Sequence, residues 1–457
     1  MHSDLIINSD LIIIGAGPGG YETALEAAHR GMSVTLFEGD FLGGTCLNRG
    51  CIPTKCLCRN AEVMAQFKDA EQFGIDDFTF SVDFDKIMAR KNGVVEQLRS
   101  GIDMLMKQAK VNVVPKYASF KDAKTVVADG EEYTADNIII ATGSVSKSLP
   151  IPGHDLDCVM DSTDMLSIDH IPESLTIIGG GVIGMEFAGI FNALGSKVTV
   201  IEFMKQILPP FDSDIAKRLK QSLTKKGIKI ITSAAAKKIE QNAGYEIVVT
   251  YECKGKEEQV VSSDLLMAVG RAPRIEGLNL EATGMEFSPR GIVVDDNMRT
   301  TVDNIYAIGD VNARMMLAHV ASFQGLRALN CIQAVEDTIR FDVVPSAVFT
   351  VPECGMVGLT SDQCKERGLK VRTGQSFFRA NGKALALGEP DGICKLIFTE
   401  EDSMLVGAHI MGVQAADLAQ QCADLISRQT TLPELRNIIF GHPTVSEVIL
   451  SAAHAVK

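Results

Sequence analysis

Two stretches of this chain, "IIIGAGPGGYETALEAAHRGMSVTLFE" from Ile12 to Glu38 and "TIIGGGVIGMEFAGIFNALGSKVTVIE" from Thr176 to Glu202, repeat one design. Each opens with a β-branched run and turns on Gly-x-Gly-x-x-Gly. Each then passes through apolar residues at helical spacing and closes a second β-branched run with a glutamate 23 residues after the first glycine. The pattern predicts strand, tight turn, helix and strand, twice over. The first glycine (Gly15, Gly179) permits the turn and the second (Gly17, Gly181) lets backbone approach a pyrophosphate. The third (Gly20, Gly184) lets helix pack closely on strand. The closing acid, Glu38 or Glu202, then reaches a ribose hydroxyl. One such motif is weak evidence; two in this context predict an α/β chain that binds two dinucleotides, or one dinucleotide and a related adenine cofactor. Because a carboxylate repels a 2'-phosphate, Glu202 predicts NAD rather than NADP in the second copy, with Lys205 the one opposing charge nearby.

At 457 residues the chain exceeds the roughly 250 to 300 that one core supports, so two to four domains are expected. A net charge of -14 excludes nucleic acid or an anionic membrane as the main partner, since both require a basic footprint. The opening "MHSDLIINSDLIIIGAG" has no basic leader region and its apolar run breaks at Asn8 to Asp10, which predicts a cytosolic protein with no membrane span. Eleven cysteines scattered through such a chain are expected to be mostly reduced and buried.

Between and after the copies, "ADNIIIATGS" at 135–144 and "SSDLLMAVGRAPR" at 262–274 read as buried strands that end in turns and carry the chain between domains. The run "SLPIPGHD" at 148–155 marks the start of a second domain. "TTVDNIYAIGD" ends on Asp310, an acid at the carboxyl end of a short strand, suited to face a ligand. From "FDVVPSAVFTVPECGMVG" onward, short strands alternate with helical runs and predict an α+β domain of roughly a hundred residues.

Four cysteines crowd "GGTCLNRGCIPTKCLC", Gly43 to Cys58. Their spacing differs from the paired Cys-x(2 to 4)-Cys of structural zinc sites, and on a helix beginning near Cys51, with Pro53 in its first turn, Cys51, Cys56 and Cys58 diverge. No metal site is expected. A structural disulfide conflicts with the cytosolic reading, whereas a catalytic one does not. If Gly43 and Gly44 make a turn, the N-terminus of the following helix favours the thiolate of Cys51. Cys56 and Cys58, further along, are expected to be packing residues.

The block "GGTCLNRGCIPTK", the paired dinucleotide folds, "ATG" at 141–143, "AIGD" at 307–310 and "HPTVSE" at 442–447 together resemble the flavin-dependent pyridine nucleotide disulfide oxidoreductases over nearly the whole chain. Within that family the chain most resembles members that oxidise protein-bound dihydrolipoamide with NAD. The resemblance implies two Rossmann-like domains plus a C-terminal dimerisation domain. FAD would occupy residues 1–146 and 272–340, NAD 147–271, and the interface 341–457. For FAD it implies Gly15, Gly17, Gly20, Glu38, Lys55, Ala118, Thr142, Gly143, Ser144, Asp310, Met316, Ala318 and His319. For NAD it implies Gly179, Gly181, Gly184, Glu186, Glu202 and Gly270, with Lys55 and Glu186 paired near the reactive flavin ring.

The same resemblance makes Cys46 and Cys51 the redox disulfide, Cys51 against the flavin and Cys46 exchanging with substrate. It makes His442 the base, oriented by Glu447 and supplied by the partner subunit of a homodimer. The implied partner is a lipoyl-bearing protein of a 2-oxo acid dehydrogenase or glycine cleavage complex. Phe440 stands where such enzymes often carry a second histidine. Glutathione reductase would want basic residues in place of Glu202, and mercuric reductase a C-terminal cysteine pair, where this chain ends "SAAHAVK". A non-catalytic redox sensor on the same fold need not keep Cys46, Cys51, His442 and Glu447 together.

Overall fold

The structure, a computed structural model, describes residues 7–77 and 79–457; the first six residues of the leader reading lie outside them. The chain divides into two compact units. Residues 1–56, 88–147 and 270–339 make the first, and residues 57–87, 148–269 and 340–457 make the second.

In the first unit the β-branched run of the first copy becomes the strand Ile7–Ile14, whose residues Leu11 to Ile14 are all buried. It lies between Val34–Phe37 and Glu131–Ile140, parallel to both, and Ile305–Ala307 extends the sheet parallel to Glu131–Ile140. Continuous apolar runs suit this arrangement, because a parallel sheet is covered on both faces. Helices Pro18–His29 and Ala318–Ile332 pack together through small residues. A side chain on Gly19 would come within 3.0 Å of Ala321 Cβ, and one on Gly325 within 1.7 Å of Thr23 Oγ1.

The second unit repeats the motif. Strands Lys229–Thr232, Lys197–Glu202, Ser174–Ile178, Asp264–Met267 and Val159–Met160 lie side by side in that order, each parallel to its neighbours. Inserted before Asp264–Met267 is an antiparallel ribbon, Ala234–Gln241, Ile247–Cys253 and Lys256–Ser262. The C-terminal part is α+β, as expected. A five-stranded antiparallel sheet, with Ile393–Thr399 and Leu405–Met411 at its centre, carries helices Ala415–Ser427 and Glu447–His454.

Charge ties the start of the helix Ser213–Lys225 to this C-terminal sheet. Lys395 Nζ, buried on the strand Ile393–Thr399, donates to Asp212 Oδ1 at 2.8 Å and Asp214 Oδ2 at 2.7 Å. The fully buried Asp212 also caps the helix Ser213–Lys225 and accepts from the Ser361 amide at 3.1 Å. Removing one partner of so enclosed a pair would strand a charge away from water. Among the described residues no helix is long and apolar enough to cross a membrane.

Glu353 adds a half-buried carboxyl to the C-terminal part. Its carboxylate accepts from the Ala416 amide at 3.3 Å, at the start of helix Ala415–Ser427. Burial above all, with Glu62 and Asp417 nearby, pushes its carboxyl up to about 7 against the pull of that amide. A carboxyl raised on folding contributes stability that is complete below its unfolded pKa and is lost as pH rises through the folded one. Unfolding free energy should therefore fall from pH 4.5 to about 7, by up to about 1.4 kcal/mol per pH unit from this group, and Glu353→Gln should flatten that slope. Denaturant titrations at several pH values check this; identical slopes for the two proteins would refute it.

Candidate active site

The two glycine motifs are superposable in their constraints. Gly15 has φ 103° and Gly179 φ 115°, left-handed turns that a side chain would strain. A Cβ on Gly20 would fall 1.8 Å from the Gly15 carbonyl oxygen, and one on Gly184 2.0 Å from that of Gly179. These third glycines are required by the protein itself.

The second glycines are different. Gly17 (φ -66°, ψ -178°) and Gly181 (φ -76°, ψ -173°) have ordinary backbone angles, each is the N-cap of its helix, and a Cβ on either meets no protein atom within 4 Å. Protein packing does not demand glycine there, whereas close approach of an anion to a helix N-terminus does. The closing acids match as well. Glu38 accepts from the amides of Ala16 at 2.8 Å and Asp40 at 3.0 Å, and Glu202 from those of Gly180 and Met204, both at 2.5 Å. Each carboxylate thus braces the loop that follows the first glycine. Burial raises the Glu38 carboxyl above its ordinary value.

The first loop also supports the cysteines. Gly43 and Gly44 do form a turn, with φ 92° and 55°; the Gly43 amide donates to Ala16 O at 2.8 Å, and a Cβ on Gly44 would sit 2.6 Å from Gly17 Cα. From this turn a short helix, Gly44–Arg49, carries Cys46. Gly50 breaks it at φ -145°, ψ -109°, and the helix Cys51–Lys68 begins at Cys51. The break brings the two cysteines together, with Cys46 hydrogen-bonded to Cys51. That bond first, then burial, holds the Cys46 thiol well above the ordinary range, while the Lys55 ammonium, one turn beyond Cys51, pulls the other way. Cys56 and Cys58 are buried, as a packing role requires.

Buried cysteines elsewhere have a different character. Cys354, Cys364, Cys394 and Cys422 are fully enclosed, and burial raises the pKa of each. Among the described residues no group of three or more His, Cys, Asp or Glu side chains could hold a metal ion.

Asp310 sits in the single turn Gly309–Asn312 at the end of strand Ile305–Ala307. It accepts from Ser144 Oγ at 2.5 Å, and Arg271 donates to the same Oγ and to Ser144 O, both at 2.7 Å. Burial raises the Asp310 carboxyl, opposed by Ser144 and by the charge of Arg271. Thr142 Oγ1 donates to Arg274 O at 2.7 Å, and Gly143 takes φ 73°. Arg271 went unnoticed in the sequence; the two arginines of "VGRAPR" were the available signal. Met316 precedes the helix Ala318–Ile332, where Ala318 is first and the exposed His319 second. Ala118 is buried in the core of the first unit.

Gly270 belongs to the first unit, as do the FAD candidates, while Gly179, Gly181, Gly184, Glu186 and Glu202 belong to the second. Glu186 is buried and accepts from the Phe349 amide at 3.0 Å. In the second unit His442 Nδ1 donates to Glu447 Oε1 at 3.0 Å, which leaves Nε2 as the acceptor nitrogen. Glu447 opens the helix Glu447–His454 and its other oxygen accepts from the Thr444 amide at 3.0 Å. The Thr444 amide first, and then His442, hold its carboxyl below the ordinary range. Phe440, partly buried, packs against the C-terminal core.

The two kinds of glycine can be separated by experiment. Gly184→Ala should cost about 1 to 3 kcal/mol or more through overpacking, seen as a lowered Tm. Gly181→Ala should leave Tm within a few degrees, since neither backbone nor space opposes it, yet weaken dinucleotide binding measured by calorimetry.

Residues 9–325 match the family model for the pyridine nucleotide-disulphide oxidoreductases, and residues 344–453 match the dimerisation domain of the same enzymes. Dihydrolipoyl dehydrogenase of Geobacillus stearothermophilus is 38% identical over 98% of this chain and 96% of its own length. That of Thermus scotoductus is 39% identical over 98% and 97%. Among solved structures, the HOCl-induced flavoprotein disulfide reductase RclA from Escherichia coli superposes with a TM-score of 0.88 at 30% identity, covering 98% of this chain and all of that one. Paired dinucleotide motifs, a dithiol seated on the first of them and a matching dimerisation domain agree with these likenesses, and the chain belongs to the pyridine nucleotide-disulphide oxidoreductase family.

Proposed function

We propose that the protein oxidises dihydrolipoamide borne on a partner protein and reduces NAD to NADH, using FAD and the Cys46–Cys51 pair. The observation that carries this reading is the dithiol at the break between two helices, seated on the first dinucleotide loop, in a chain whose full-length relatives are dihydrolipoyl dehydrogenases. FAD would be held by the helix N-terminus at Gly17, by Glu38, by the turn Thr142 to Ser144, by Asp310 and by the segment Met316 to His319, with Lys55 near its reactive ring. The second motif, with Glu202, would hold NAD. When bound, FAD supplies a two-electron acceptor between the dithiol and NAD.

The chain's own groups perform the thiol chemistry. His442 Nε2, free to accept because Nδ1 is committed to Glu447, takes a proton from one substrate thiol. The resulting thiolate attacks Cys46 of the oxidised pair, the Cys46–Cys51 bond breaks, and Cys51 leaves as a thiolate. The second substrate thiol, deprotonated in turn, attacks the mixed disulfide and releases lipoamide, and Cys46 regains a proton. Glu447 remains charged to low pH and so keeps the imidazole oriented and stabilises its protonated form.

In a homodimer, His442 of one subunit would serve the dithiol of the other. The lipoyl-bearing partner would belong to a 2-oxo acid dehydrogenase or glycine cleavage complex, in the cytoplasm.

Cys51→Ser should abolish NADH production from dihydrolipoamide while FAD remains bound, read from the visible spectrum of the purified protein. Undiminished turnover in that variant would sink the assignment. Glu202→Ala should narrow the preference for NAD over NADP, measured as the ratio of kcat/KM values, by about tenfold or more, because the charge that disfavours a 2'-phosphate is gone. An unchanged ratio would remove Glu202 from cofactor selection.

A further inference from the structure

The helix that carries Cys46 is only six residues long and has no side-chain cap at its start. Its entry runs through two left-handed glycines, so its direction depends on how the turn from Leu42 to Gly44 is held. One side chain spans that turn. Asn48 Nδ2 donates to Leu42 O at 3.0 Å and to Gly44 O at 2.9 Å, on either side of Gly43. A carboxamide can do this only in one of its two orientations, since the flipped group would set its oxygen against two carbonyl oxygens.

Arg99 decides between the orientations. Its Nε, which can only donate, meets Asn48 Oδ1 at 3.0 Å and so fixes the amide with its NH2 toward the turn. The guanidinium is itself held, with its carbon 4.0 Å from the centroid of the Phe41 ring and an ion pair to Glu96 at 3.2 Å. Phe41 immediately precedes the turn, and Arg99 projects from the 25-residue helix Phe84–Gln108, a rigid strut beside a short element. All of these contacts lie within the first unit.

We propose that Arg99 is a positioning residue for the dithiol, acting through Asn48 to hold the turn that aims Cys46 at Cys51. The inference rests on the reading that this pair cycles between dithiol and disulfide. Closing the ring is favoured when the two sulfurs are already in place, as any reaction between fixed partners gains from a high effective concentration. Loosening the turn lowers the equilibrium constant for closure. In that reaction the dithiol gives up two electrons and two protons to oxidised glutathione, whose sulfur–sulfur bond breaks to give two thiols, as the Cys46–Cys51 bond forms.

The test equilibrates the purified holoenzyme, anaerobically, with glutathione buffers of graded ratio, followed by acid quench, alkylation and mass analysis of the peptide that spans Cys46 and Cys51. Arg99→Met should lower the closure constant about tenfold, equivalent to about 30 mV. Asn48→Ala should do the same, and Arg99→Lys, which keeps a donor for Asn48 Oδ1, should recover most of the loss. A merely structural contact would lower Tm without moving this constant. Values for Arg99→Met and Asn48→Ala within twofold of wild type would overturn the role of Arg99 and leave the redox pair intact. A wild-type pair that forms no disulfide at any ratio would overturn the underlying reading as well.

Discussion

A glycine five residues after a strand-ending glycine, pressed against its carbonyl oxygen, is the constraint on which both halves of this protein depend. At Gly20 and again at Gly184 there is room for a hydrogen and nothing larger. That approach draws the helix onto the strand so that the N-terminal amides of the helix face outward at the loop, and the helix dipole makes the loop attractive to a negative charge. In the first unit the same loop does a second job, because Ala16 O and Gly17 Cα are the surface against which the Gly43–Gly44 turn rests. Nucleotide loop and dithiol are thereby one construction.

The second unit solves a different problem, how to keep charges in low-dielectric surroundings without losing their usefulness. Lys395 is neutralised by two aspartates, and one of these caps a helix and receives a third group. His442 and Glu447 lie at the other extreme. The imidazole is 79% exposed on its own chain, and its orientation is set by a carboxylate that is tied to the backbone of the intervening turn. The buried charges tie a strand to the start of a helix, and the exposed pair holds a nitrogen in readiness.

The two nucleotide-binding folds were legible in the sequence because their physics is local: glycines, periodicity and an acid at fixed spacing. The helix start at Cys51 was legible for the same reason, with Pro53 in its first turn. What spacing did not reveal was the separate short helix that carries Cys46, the antiparallel ribbon from Ala234 to Ser262, and the two arginines that act at a distance. Arg271 meets Ser144 across 127 positions and Arg99 meets Asn48 across 51, so neither partnership leaves a periodic trace. The pairing of His442 with Glu447 came from the family resemblance, and the two lie five apart, in one turn and at the first residue of a helix.

The fully enclosed cysteines acquire a meaning beside a working dithiol. Thiol exchange proceeds through thiolates, and burial keeps Cys354, Cys394 and Cys422 protonated and out of reach. A protein that handles disulfides at every turnover is exposed to misdirected exchange, in which electrons leak into dead-end pairings. Here hydrocarbon around these three sulfurs acts as insulation around a conductor. The redox circuit is confined by what surrounds the idle thiols as much as by what activates the busy ones.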